Sequence, residues 1–175
     1  MSLHLRSDGY DEVANGLTEN LQRPKWLGWL ARYGPLVFWI GVIFFLSSPE
    51  GSFNQTSRIV GPLLDFFFPD ILPETKAAIH ALVRKTAHFT EYAVLAFLAF
   101  RAFSGSSSSL VQKWLYVLAL MLVAVVASLD EFNQSFEASR TSSVWDVALD
   151  ISGGAAMVAV LWIFNSRKSN AQARA

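Results

Sequence analysis

The chain has 175 residues, of which 53% are hydrophobic and 16% charged, with equal numbers of basic and acidic side chains and no cysteine. The apolar residues come in long runs, which excludes an ordinary soluble domain and implies an integral membrane protein forming one compact bundle, since each span takes about 20 apolar residues. Zero net charge without a long basic run excludes a nucleic-acid binder, and the lack of cysteine excludes disulfides, a thiolate nucleophile and cysteine-held metal.

Residues 1–25 carry Asp8, Asp11, Glu12 and Glu19 among Ser, Asn and Gly with no apolar face, and read as a disordered cytoplasmic tail. No short apolar run follows a basic start, so the first hydrophobic segment reads as an uncleaved span and not a signal peptide. Span one covers about 26–46, with Trp26, Trp29 and Tyr33 placed as an interfacial belt beside Arg23, Lys25 and Arg32. Between Ser47 and Leu72 the chain is first polar, then apolar and aromatic from Gly61 to Pro73. That run is too short to span and is broken by proline, so it reads as a segment lying in the outer interface or, alternatively, as a loop packed on the bundle. Span two covers about 86–103, with a helical extension from Pro73, where Pro-Glu-Thr suits a helix start. A Ser-rich turn, 104–109, leads into span three, about 110–129. Span four covers about 144–164 and contains Gly153 and Gly154, which permit close helix approach, and 165–175 is a second cytoplasmic tail. The expected fold is all-α, a four-helix transmembrane bundle with an interfacial segment between spans one and two.

Basic residues orient this bundle. One side holds Arg6, Arg23, Lys25, Arg32, Arg101, Lys113, Arg167, Lys168 and Arg174, the other only Arg58, Lys76, Arg84, Lys85 and Arg140, so both termini are expected in the cytoplasm. The extracytoplasmic ends of spans two, three and four then gather Lys85, His88, Glu91, Asp130, Glu131, Gln134, Arg140, Asp146 and Asp150. Ionisable groups in or beside membrane spans are costly unless paired or facing water, so such a cluster is a functional-site candidate.

Lys85, His88 and Glu91 recur every three residues and form a polar stripe on one helix. Asp130 and Glu131 close span three, where helix-end carbonyls already carry partial negative charge, and need a cation, a metal or a shared proton nearby. Asp146 and Asp150 share a face of span four, and Arg140 can grip a carboxylate or a phosphate bidentately. Two readings compete. In the first, Lys85 and Arg140 neutralise carboxylates and lock the helices together. In the second, the excess of acids serves a ligand or a reaction. No phosphate loop, zinc helix or nucleophile elbow is present; Asp146 with Asp150, and Asp130 with Glu131, could ligate a divalent ion through oxygen together with His88, but no spacing is diagnostic of a metal and no cofactor is named.

At these residues the chain resembles the VanZ family of small bacterial membrane proteins. The resemblance rests on Arg84-Lys85-Thr86-Ala87-His88-Phe89-Thr90-Glu91-Tyr92, on Asp130-Glu131-Phe132-Asn133-Gln134-Ser135-Phe136 with Arg140, and on Asp146-Val147-Ala148-Leu149-Asp150 with Gly153-Gly154. It covers about 47–164. Ala138-Ser139 stands where family members often have Pro-Gly, and Asp150 where they often have Asn. The family takes its name from a member associated with resistance to teicoplanin, a glycopeptide that binds cell-wall precursors outside the membrane. The resemblance implies a bacterial inner-membrane location and a link to the cell envelope.

Three functions remain open on sequence. The leading one is an extracytoplasmic polar pocket that binds or modifies a lipid-linked or cell-wall-related ligand, with His88, Glu91, Asp130 and Glu131 as catalytic candidates and Lys85, Gln134, Arg140, Asp146 and Asp150 as ligand contacts. The others are a non-enzymatic scaffold, as a homo-oligomer or with an envelope protein partner, and a small proton- or ion-coupled transporter. The apolar inner halves of spans two to four weigh against a transporter.

Overall fold

The computed structural model describes residues 25–48, 54–136 and 143–172, all of its regular structure helical. Helix α1 is Lys25–Ser47, α2 is Asn54–Phe67, α3 is Pro73–Ser104, α4 is the short Ser109–Lys113, α5 is Leu115–Gln134 and α6 is Val144–Gln172. The expected N-terminal tail and Arg140 lie outside the described residues.

Helix α3 is the axis of the molecule. It packs most extensively on α6, then on α5 and α1. Its inward face is Tyr92, Leu95, Ala96, Ala99 and Ala102, all buried at the three- and four-residue spacing of one helical stripe. The three alanines let neighbours approach closely, which matters in lipid, where association depends on packing and not on expulsion of water. Leu36 and Ile43 of α1 and Ala119, Val123, Val126 and Ala127 of α5 complete the core. Large apolar side chains face outward along three helices: Trp29, Val37 and Phe38 on α1, Met121 and Val125 on α5, Trp162 and Phe164 on α6.

Among the described residues, three helices are long and apolar enough to cross a membrane: Trp26–Ser47, Leu115–Gln134 and Val144–Lys168. The fourth expected span, 86–103, is the C-terminal half of the 32-residue α3, where His88, Glu91 and Arg101 dilute the apolar character. Pro73 opens α3 as its first helical residue with Glu74 in the first turn, as the sequence predicts. Span three is displaced by five residues from the expected 110–129: residues 110–113 belong to the separate α4, and α5 runs from Leu115 to Gln134. Polarity beginning at Asp130 marks where burial in lipid ends, and the helix itself continues to Gln134, which puts Asp130, Glu131 and Gln134 on one continuous α5. Residues 165–172, expected in the tail, continue α6.

Of the aromatic run from Gly61 to Pro73, 61–67 form the end of α2, with Pro62 inside the helix, and 68–72 are non-helical. Helix α2 touches only α3 among the described helices and is tied to it by Lys76 Nζ to Asp65 at 2.7 Å. Leu63, Phe66, Phe67 and Phe68 remain exposed, the apolar face required of a helix lying in an interface.

Candidate functional site

The site forms where the polar ends of α3, α5 and α6 meet. A small, partly open pocket with a cavity volume of ≈ 20 Å³ is lined by Arg84, Lys85, His88, Glu131, Gln134, Asp146, Leu149 and Asp150. Small-molecule sites commonly run to about 300–1,000 Å³, so the interior of this one has room for a water or an ion and leaves any larger group at its mouth.

The inner wall is built from buried polar groups. Asp130 and Asp150 are 1% and 2% exposed and Gln134 is 2% exposed. Tyr92 donates its hydroxyl to Asp130 Oδ2 at 3.0 Å, and Gln134 Nε2 donates to the same oxygen at 3.0 Å, joining α3 to α5. Gln134 also lies 3.4 Å from Ser47 of α1 and 3.4 Å from the Arg84 guanidinium. His88 Nδ1 and Asp150 Oδ1 face each other at 3.5 Å across the α3–α6 contact. Trp39 Nε1 donates to the Glu91 backbone carbonyl at 3.0 Å and fixes α1 at this level.

Asp130 and Glu131 are neighbours in sequence but not in role. About 100° of helical rotation separates them. Asp130 turns into the core toward Tyr92, whereas Glu131 reaches the backbone N–H of Ser143, just before α6 begins. A carboxylate at a helix N-terminus complements the orphan N–H groups and the positive end of the dipole. Each acid therefore has its own hydrogen-bond donors without a cation. Among the described residues, no lysine or arginine makes an ion pair within 4.0 Å with any carboxylate of the cluster.

The sequence candidates distribute as follows. His88, Glu131, Gln134, Asp146 and Asp150 line the pocket with Lys85, which is exposed at its rim. Asp130 lies behind that wall, and Glu91 is half-buried one turn along α3 without lining the pocket. Two contributors are additional: Arg84, in the pocket wall, and Tyr92, which orients Asp130. A signal for both was present. Arg84, His88 and Tyr92 are spaced by four, a step that drifts about 40° around a helix, against about 60° for the three-residue step of Lys85, His88 and Glu91.

The close fit of α6 depends on two glycines. A Cβ on Gly153 would collide with the backbone carbonyl of Phe89, the residue after His88, and one on Gly154 would lie 2.7 Å from Val123 Cγ1 of α5. Gly153 is three residues from Asp150, so the same approach that needs glycine brings Asp150 to His88.

A family model described as VanZ/LLP1 matches residues 33–165, from within α1 to near the end of the apolar part of α6. No curated protein and no solved structure matches the chain.

Proposed function

This chain belongs to the VanZ/LLP1 family, and we propose that it is a four-span protein of the bacterial cell envelope whose pocket binds an anionic, lipid-linked or cell-wall-related ligand. In this reading α3 crosses the membrane as the central, protein-surrounded span, both termini are cytoplasmic, and the pocket opens at the level of the outer head groups. A link to glycopeptide resistance would follow from that location.

The observation that carries the reading is the layering of charge in the pocket. Arg84 and Lys85 stand at the wall and rim without a carboxylate ion pair among the described residues, while Asp130 and Glu131 accept hydrogen bonds from neutral donors. A lock between helices would pair these charges with one another. Cations left available beside lipid suit a phosphate, which guanidinium and ammonium groups bind by charge-assisted hydrogen bonds. The cavity is too small to enclose a head group, so in this reading the phosphate sits at the mouth beside Arg84 and Lys85, with the apolar remainder of the ligand left in the bilayer. Any modification of the ligand would fall to His88 and Glu131, which line the pocket, with Asp130 behind its wall and Glu91 one turn along α3.

The scaffold reading has one observation in its favour: the Tyr92, Asp130 and Gln134 network does bind α3 to α5. Rescue of a deletion strain separates the two. At matched membrane abundance, His88→Ala, Glu91→Gln, Asp130→Asn and Lys85→Ala are expected to lose function. Full function in all four would reduce the cluster to structural glue and leave the scaffold.

A further inference from the structure

Among the described residues, three buried atoms in the inner wall have no hydrogen-bond partner: His88 Nδ1, Asp130 Oδ1 and Asp150 Oδ1. An orphaned buried acceptor costs roughly 1–3 kcal/mol, and more when charged, so three together call for a physical reason. They belong to residues from three different helices, α3, α5 and α6. One ligand atom from each lies within 4.8 Å of the others.

We propose that His88, Asp130 and Asp150 form a binding site for a divalent transition cation, zinc before the others. The His88–Asp150 separation supports this. A direct imidazolium–carboxylate hydrogen bond closes to about 2.7–2.9 Å. Two donors on one tetrahedral ion with bonds of about 2.0–2.2 Å stand about 3.4 Å apart, and the pair is at 3.5 Å. All the donor atoms of the triangle lie within 4.8 Å of one another.

The surroundings are those of a metal centre. Asp130 is gripped through Oδ2 by Tyr92 and Gln134, which leaves Oδ1 turned to the cluster, the arrangement by which outer groups orient a ligating carboxylate. Two carboxylates balance a 2+ charge, which matters for a group with almost no solvent exposure. The donor set selects the ion. Imidazole favours zinc and its transition-metal neighbours, whereas calcium takes six to eight oxygens, which this enclosed site does not offer, and magnesium keeps several waters. Three protein ligands leave a coordination position open, as in catalytic zinc sites. His88 and Asp150 line the pocket, so that position faces the space beside Arg84 and Lys85. The inference builds on the pocket proposed above and needs no particular ligand in it.

The test is zinc titration of the purified full-length protein after chelator treatment, with metal content and melting temperature as readouts. One zinc per chain and a raised melting temperature are expected, since a ligand bound only by the folded state stabilises it. Asp130→Asn, Asp150→Asn and His88→Gln are expected to weaken binding at least tenfold. Tyr92→Phe keeps all three ligands, so it remains informative if those variants fold poorly, and is expected to weaken binding about 10–100-fold. Asp65→Asn, on α2, should bind as the wild type does. No stoichiometric zinc in the wild type, wild-type affinity in the cluster variants, or a preference for calcium or magnesium over zinc would each overturn the proposal. The titration contains no envelope ligand, so its failure leaves the head-group reading to the rescue assay.

Discussion

Pro35 sits inside α1, and a proline there removes the N–H that would bond the carbonyl four residues earlier, that of Ala31. A freed carbonyl near lipid needs another donor, because the bilayer core supplies none. Arg101, near the end of α3, supplies it: both guanidinium nitrogens donate to the Ala31 oxygen at 3.2 Å. The proline inside α1 thus frees the carbonyl through which Arg101 ties α1 to α3 at the end opposite the site. Arg101→Ala is expected to cost about 1 kcal/mol, the value of a hydrogen bond at a partly solvated position. In Pro35→Ala the helix satisfies Ala31 by itself, so the same Arg101→Ala change should cost measurably less. A double-mutant cycle in a reversible unfolding assay checks this, and strict additivity would show that the arginine acts only as a cytoplasmic-side charge. From sequence, Arg101 counts merely as one of the basic residues that set orientation; nothing in its own neighbourhood points to a carbonyl 70 residues away.

Helix packing at the site depends on how closely α6 can approach, and its two glycines are not equivalent. The neighbour of Gly153 is the backbone of α3, which cannot rotate aside, while that of Gly154 is a valine side chain with some freedom to shift. Gly153→Ala is therefore expected to destabilise by more than the roughly 1–3 kcal/mol usual for overpacking, and Gly154→Ala by an amount within that range. Thermal denaturation of the two variants in detergent gives the order, and Gly153→Ala should also weaken zinc binding by displacing Asp150 from His88. Three of the expected spans were legible in the sequence because their apolar runs are long, whereas 86–103 is helical but diluted by charge; the start of α3 was legible because Pro73 and Glu74 are helix-start chemistry. The end of α5 was not, since hydropathy reports immersion and not hydrogen bonding. The helical state of 54–67 was hidden by Pro62, which reads as a breaker, although a single proline costs one hydrogen bond and the amphipathic remainder carries the helix. At the site, seven of the nine candidates come together in or directly behind the pocket, Glu91 stands one turn away, and Arg140 lies outside the described residues. Tyr92 escaped notice because a tyrosine among apolar neighbours reads as core until its hydroxyl is seen to meet a carboxylate.

At the scale of the whole molecule, the question is whether α3 crosses the bilayer. Its 32 residues measure about 48 Å at 1.5 Å per residue, more than the roughly 30 Å of hydrocarbon. The half from Thr86 to Phe103 is long enough to span. The charges that keep it below the apolarity of the other three helices are placed at its ends or turned inward: Arg101 at the Ala31 carbonyl, His88 against Asp150. A helix surrounded by α1, α5 and α6 meets lipid over little of its surface and can carry such groups. If α3 crosses, Thr75 at its start and Ser107 after its end lie on opposite sides, and Ser107 shares the cytoplasmic side with Asn170. The chain has no cysteine of its own, so single replacements Thr75→Cys, Ser107→Cys and Asn170→Cys report without background. In intact cells an impermeant thiol reagent is expected to label only Thr75→Cys, with the other two reacting after lysis. Labelling of Thr75→Cys and Ser107→Cys from one side would make α3 a peripheral helix over a three-span protein. It would also carry the acidic pocket away from the outer head groups, and the envelope-ligand proposal would fall with the topology that supports it.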